Sequence, residues 1–337
     1  MNSRERIKAI IGGQEADRAG FWLGMPHHDT IPIMYKYFGV STDEELRLKL
    51  KDDFRWICPQ FFPDVYKSPD NRSYLFDAGL GMDKKPFFED CEDPADVEKF
   101  PWPDVKYLDY SAVIETLRNT GPFYRASGMW TSFYHDVMGL FGMESYMMKM
   151  YLNPEVVHAV TDKVCGFYYD ANVKFFDQAG DLMDGFFFGN DFGTQLDLIC
   201  GLPQFDEYIL PWFEKFTALA HSYGYQVILH SCGAIFKTIG RFIDAKVDCL
   251  HPLQALAKDM DADNLARNFK GKIAFLGGID TQQLLDHGTP EEIKKEVQRV
   301  REVLSPRVII SPSHECILPN VPMENIEALA KAATDYN

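Results

Sequence analysis

His230, Cys232 and Cys316 are the residues of this chain whose types and spacing best suit chemistry. His230-Ser231-Cys232-Gly233 ends the apolar run Gln226-Val227-Ile228-Leu229. Residues two apart on an extended segment share a face, so the imidazole and the thiol point the same way. Cys316 comes 84 residues later, after a second β-rich run, Val308-Ile309-Ile310-Ser311. One His and two Cys at separate strand ends make a three-ligand set for a thiophilic metal, zinc with an open fourth position being the expectation. A buried cysteine can equally serve as a small hydrophobe, and the competing reading is a cysteine pair packed in a barrel core.

Positioning such residues requires a scaffold that brings distant strand ends together. From about residue 181 short apolar β-type runs alternate with amphipathic stretches: Leu182 to Phe188, Gln226 to Leu229, Val247 to Leu250, Ile273 to Leu276 and Val308 to Ile310. Repeated βα units argue a parallel sheet, and their number favours closure. Thr289-Pro290-Glu291-Glu292 reads as a capping box with Pro in the first turn, and Ile293, Val297, Val300 and Leu304 form the apolar stripe behind it. Three more strands are expected at Phe21 to Met25, Trp56 to Phe62 and Tyr124 to Ser127. The fold class that follows is α/β, a (β/α)8 TIM barrel in one domain over residues 1–337. It carries an N-terminal helix, capped at Ser3 and ending at Gly12-Gly13, under the barrel, and an inserted loop region at 63–105.

In such a barrel the chemistry belongs at the C-terminal strand ends. Polar clusters fall there: Pro26-His27-His28-Asp29, the Asn190-Asp191 to Gln195 stretch, His230 to Gly233, His251-Pro252-Leu253-Gln254, Gly277 to Asp280, and Ser313-His314-Glu315-Cys316. His27, His28, Asn190, Gln195, His251, Gln254, Asp280 and His314 are candidate substrate contacts. Asp191 and Glu315 are candidate catalytic carboxylates. Glu315 is also a possible exchangeable fourth ligand. By strand alternation His314 and Cys316 share a face, so either could approach a metal; Cys316 is favoured. Phe186, Phe187 and Phe188 read as a strand alternating inward and outward before they read as an aromatic pocket.

The bulk composition excludes several classes. With 34 Lys+Arg against 50 Asp+Glu the formal charge is −16, which opposes nucleic acid and anionic membranes as partners. Seven scattered cysteines make no disulfide framework and fit a reducing compartment. No run reaches the ~20 apolar residues that span a bilayer, so a cytoplasmic location is expected.

The ordered set Gly189-Asn190-Asp191-Phe192-Gly193-Thr194-Gln195, His230-Ser231-Cys232-Gly233, Gly277-Gly278-Ile279-Asp280-Thr281 and Pro319-Asn320-Val321-Pro322-Met323-Glu324-Asn325-Ile326 resembles the uroporphyrinogen decarboxylase superfamily, specifically its methyl-corrinoid methyltransferase branch. The resemblance implies a (β/α)8 barrel. Decarboxylases of the superfamily carry an Arg-Gln-Ala-Gly-Arg-Tyr signature after the first strand, whose arginines meet substrate carboxylates, and a late Gly-His-Gly. This chain has Gly24-Met25-Pro26-His27-His28-Asp29 and Ser313-His314-Glu315-Cys316 at those places. A polyanionic tetrapyrrole would lack its cationic clamps. In the methyltransferase branch His-x-Cys and a late Cys bind zinc, and Cys316 precedes Pro319 as that family's ligand precedes its proline. The resemblance therefore implies zinc and a methylcobamide supplied by a corrinoid partner protein, with a small-molecule methyl donor or acceptor. A decarboxylase for a porphyrinogen or smaller carboxylate, and a non-catalytic corrinoid or metal carrier, are the alternatives.

Overall fold

In the computed structural model, which describes residues 1–71, 73, 74, 76 and 85–335, eight parallel strands form one sheet that curls into a (β/α)8 barrel. They are β1 (Gly20–Phe21), β2 (Phe54–Ile57), β3 (Tyr124–Ser127), β4 (Gly185–Gly189), β5 (Gln226–His230), β6 (Cys249–His251), β7 (Ala274–Ile279) and β8 (Val308–Pro312), in the order β1-β8-β7-β6-β5-β4-β3-β2. The seam between β1 and β2 is closed by carboxylates. The Asp53 amide donates to the Phe21 carbonyl at 2.9 Å, while the Phe21 and Leu23 amides donate to the side chains of Asp53 and Asp52 at 3.0 and 3.2 Å.

Alternation along the strands builds the barrel's two surfaces. Phe187 turns inward against Trp22, Phe54 and Trp56. Its neighbours Phe186 and Phe188 turn outward onto Phe176, Phe213 and Phe216 of the surrounding helices. The three phenylalanines are therefore wall, as alternation suggests. Trp22, Phe54, Tyr124, Ala126, Phe187, Ile228, Cys249, Ala274, Leu276 and Ile309 fill the interior.

The helix α1 (Ser3–Ile11) closes the floor. Ile7, Ile10 and Ile11 join the inner core, and truncating such a buried isoleucine to Ala costs about 2–5 kcal/mol. The cap differs from the sequence expectation: Asn2, not Ser3, receives the Glu5 amide, and Glu5 returns a bond to Asn2. Ser3 is occupied otherwise, its hydroxyl donating to Asp53 at 2.7 Å.

Boundaries moved where local chemistry was misjudged. The strand expected at Trp56 to Phe62 begins at Phe54 and stops at Ile57, because Pro59 opens a 3-10 turn, Pro59–Phe61. The start at Leu182 is likewise a 3-10 turn, Gly180–Leu182, and β4 begins at Gly185. The helix Pro290–Leu304 has the Thr289/Glu292 capping box and buries Ile293, Val297, Val300 and Leu304. Within the inserted region 63–105 the described residues hold the 3-10 turn Pro94–Lys99, and a second, Val105–Tyr107, starts at its end; residues 72, 75 and 77–84 lie outside the described residues. No described helix is long and apolar enough to cross a membrane.

Candidate metal centre at the barrel mouth

Strand β5 carries Ile228 into the interior, so two residues on His230 also points inward at the mouth. Past it the chain turns at Gly233, where φ is +90° and an added Cβ would sit 2.3 Å from the Gly193 carbonyl oxygen. Only glycine lets the loops after β4 and β5 approach this closely. Side chains lace these loops together. Asp191 accepts the Cys232 amide at 2.8 Å, Gln254 accepts the Gly233 amide at 2.7 Å, and the Ser231 hydroxyl accepts the Phe192 amide at 3.2 Å. A second glycine, Gly24 at φ +85°, brings the loop after β1 onto the Glu315 backbone, where a Cβ would lie 2.6 Å from the carbonyl oxygen. The Met25 amide donates to that same oxygen at 2.7 Å.

His230 is the hub. Its Nε2 lies 3.5 Å from the Cys232 sulfur and 3.2 Å from Asp191 Oδ1. Its Nδ1 lies 3.0 Å from His251 Nδ1 and 3.5 Å from Glu315 Oε2. Trp130 covers it, ring centroids 5.4 Å apart. Among the described residues three sets have metal-competent atoms within 4.8 Å of one another: Asp191, His230 and Cys232; His230, His251 and Glu315; and His27 with the exposed His28 and Asp29.

The charges reinforce one another. Burial alone would lower the His230 pKa, but Glu315, Asp191 and Cys232 outweigh it and hold it well above the usual histidine range. Burial raises the Cys232 thiol, yet bonds from His230 and His314 bring it below its ordinary value. Asp191 is held low by His230 and the Cys232 amide against its own burial. His251 is pushed well below the histidine range by burial and by the neighbouring imidazoles His230 and His314. The site thus gathers a thiol drawn toward its thiolate and an imidazole drawn toward its protonated form, with the side chains of Asp191 and Glu315 against them.

The remaining sequence candidates fall in different places. His314 reaches Cys232 from the loop after β8, and its Nδ1 accepts the Cys316 amide at 3.1 Å. Cys316 is partly buried, its thiol pKa raised by burial and Glu315. It lines a cavity of about 430 Å³ with His314, Gln254, Asn320 and Gln282 and belongs to none of the three close sets. Asn190 is buried and spent on scaffold bonds to the Tyr134 amide and Thr131 carbonyl. Asp280 accepts the amides of Gln282, Gln283 and Leu284 after β7. Gln195 and His28 are exposed, while His27 is partly buried beside His28. His251 is fully buried behind His230.

Sequence reasoning passed over the loop after β3. It supplies Trp130 over His230, and His135, whose pKa burial lowers in spite of Asp191. Trp56 at the end of β2 packs on Trp130 with centroids 4.9 Å apart. The signal is the strand at Tyr124 to Ser127 itself, whose C-terminal loop must open onto the same mouth as the others.

Fold and site together define a parallel barrel with a thiol-imidazole centre at the catalytic face. The model of the uroporphyrinogen decarboxylase (URO-D) family matches residues 80–336, and the chain belongs to that family. Among solved structures it is similar to a methyltransferase from Methanosarcina mazei, with a TM-score of 0.66 and 16% identity over 99% of this chain and 98% of that one. No curated protein sequence matches the chain.

Proposed function

We propose that the chain is a zinc-dependent methyltransferase that moves a methyl group between a corrinoid, carried by a separate protein, and a small thiol, folate or methylated donor. The observation that carries the reading is the His230 Nε2 and Cys232 sulfur pair, 3.5 Å apart at the mouth, with the thiol already biased toward thiolate. Membership of the family, and a structural neighbour named a methyltransferase, support it.

The residues present fit a zinc ion. An imidazole nitrogen, a thiol whose pKa is lowered by its histidine partners and carboxyl groups converge, and Glu315 Oε2 is buried without a hydrogen-bond partner, an arrangement that ordinarily costs about 1–3 kcal/mol or more. His230 and Cys232 would be two ligands. Cys316 is the third in this reading, arriving with the loop that already sets His314 on Cys232; Asp191 is its rival. A bound zinc ion would keep an acceptor thiol deprotonated or polarise the oxygen of a methyl donor.

The chain's own groups do the rest. Asp191 fixes the Cys232 backbone by accepting its amide. Glu315 Oε2 can hold the proton that an acceptor thiol gives up. Trp130 and Trp56 wall the mouth and exclude water from one side of His230. The test follows the corrinoid absorbance change with a panel of thiols, folates, methylamines, methanol and aryl methyl ethers, using methylcobalamin or a corrinoid protein. Transfer is expected with at least one member and is expected to stop on chelation. Zinc-loaded protein inert across the panel would move the reading to a carrier of metal or corrinoid.

A further inference from the structure

We propose that His251 is a positioning residue that dictates which nitrogen of His230 faces the metal, and thereby leaves Glu315 free for substrate chemistry. The inference rests on the zinc reading above and deepens it.

His230 presents two edges. Nε2 looks toward the Cys232 sulfur and Asp191, while Nδ1 looks inward. An imidazole nitrogen that donates its lone pair to a metal cannot carry a proton, so ligation through Nε2 requires the proton on Nδ1, and that proton needs an acceptor. Two candidates face it. His251 Nδ1 is 3.0 Å away, inside hydrogen-bond range, and Glu315 Oε2 is 3.5 Å away, outside good geometry. Two ring nitrogens 3.0 Å apart must share a single proton, because two protons would clash and two lone pairs would repel. With His230 as donor, His251 accepts at Nδ1 and carries its own proton on Nε2.

His251 is built to hold that tautomer without moving. It pairs with His230 in the β5–β6 ladder, the Ser231 amide donates to its carbonyl at 2.8 Å, and its side chain is fully buried. Its ring packs between Trp22, 5.2 Å away and tilted, and Phe187, 5.4 Å away and perpendicular. Its Nε2 makes no hydrogen bond, so a proton there meets aromatic rings, which are weak acceptors. Glu315, by contrast, belongs to the rim loop after β8 and retains an unpartnered oxygen. An acceptor fixed in the sheet serves orientation; a carboxylate on a loop can serve the reaction.

The test measures zinc affinity of full-length, anaerobically prepared protein by competition with a chromophoric chelator. His251→Leu, which removes the acceptor, is expected to weaken zinc about 10–100-fold, the usual cost of losing such a partner. His251→Gln, whose Oε1 can accept, is expected to restore most of that loss, a rescue that a merely structural role would not give. Cobalt(II) substitution should show thiolate-to-metal absorption in wild type and in His251→Gln, and shifted or weakened absorption in His251→Leu. Histidine nitrogen shifts of zinc-loaded wild type should show His230 protonated at Nδ1 and His251 at Nε2. That measurement decides the matter if His251→Leu does not fold. Unchanged affinity in folded His251→Leu, a proton on His251 Nδ1, or the whole cost falling on Glu315→Gln would overturn the inference, as would a second metal per chain held by His230, His251 and Glu315. If Cys232→Ser binds zinc as wild type does, the zinc reading itself fails and this inference falls with it; a loss in Cys232→Ser with none in His251→Leu sinks the inference alone.

Discussion

Buried carboxylates at the two ends of the barrel are treated in opposite ways. At the floor, Asp53 accepts the Ser3 hydroxyl, the Arg6 and Arg18 guanidinium groups and the Phe21 amide, all at 2.7 to 3.0 Å. Asp184 beside it takes Arg4 at 2.7 Å and the Arg125 amide at 3.1 Å. At the mouth, Glu315 Oε2 is buried with no hydrogen bond, and its charge falls on a histidine already shared with Asp191 and Cys232. The floor gives its buried carboxylates cationic and amide partners and holds the barrel shut. The mouth keeps groups in reserve, a condition a protein tolerates where a ligand completes them.

Breaking the floor should produce the largest effect on folding. Asp53→Ala leaves two arginines facing a buried gap and should cost about 3–5 kcal/mol, seen as a lower urea midpoint of the metal-free protein. A change below about 1 kcal/mol would show that the seam is held by the sheet alone. Cys232→Ser should do the reverse. It should lower zinc affinity at least tenfold while leaving the unfolding free energy of the metal-free protein within about 0.5 kcal/mol of wild type. If the serine variant unfolds instead, the mouth is as structural as the floor.

The charges at the mouth also set a pH dependence. In the metal-free protein His230 keeps its proton above the ordinary histidine range, because Glu315, Asp191 and Cys232 outweigh burial. Zinc must displace that proton. Affinity should therefore fall as pH falls and keep rising through and beyond neutral pH, because the Cys316 thiol, raised by burial and Glu315, must also ionise to bind. Chelator competition across that range should show at least a tenfold change per unit, the slope for a single displaced proton, and a steeper one where both protons leave; a flat profile would place the metal elsewhere. The smallest expected effect is nil. Arg47 and Arg55 are already tied to Asp43, Asp52 and Glu44, and the stretch after β1, Gly24-Met25-Pro26-His27-His28-Asp29, carries no arginine. Uroporphyrinogen should stay unconverted in an anaerobic assay, and coproporphyrinogen above the no-enzyme blank would contradict this.

Much of the scaffold could be read from the chain because parallel strands are apolar on both faces and the intervening helices carry strong signals, as at Thr289-Pro290-Glu291-Glu292. All eight strands lie at or beside their expected positions, and β3 matches Tyr124 to Ser127. Proline and short turns displaced the edges of β2 and β4, since an apolar run does not mark where hydrogen bonding stops. The His230 and Cys232 pair was legible from alternation on one strand. What joins different strands was not. Nothing local in Asp53 announces that the distant Arg6 and Arg18 converge on it at the seam, and nothing in His251 says that its ring lies against His230. Those contacts follow from the β5–β6 register and barrel closure, which a sequence pattern does not encode. The place of Cys316 depends in the same way on a rim loop.

The central claim, that His230 and Cys232 hold a zinc ion, is tested most directly by metal content. Protein purified without oxygen and without added chelator should carry about one zinc per chain. Cys232→Ser and Cys316→Ser should each lose most of it, and Asp191→Asn should keep it if Cys316 is the third ligand. Full zinc retention by a protein lacking both Cys232 and Cys316 would contradict the account.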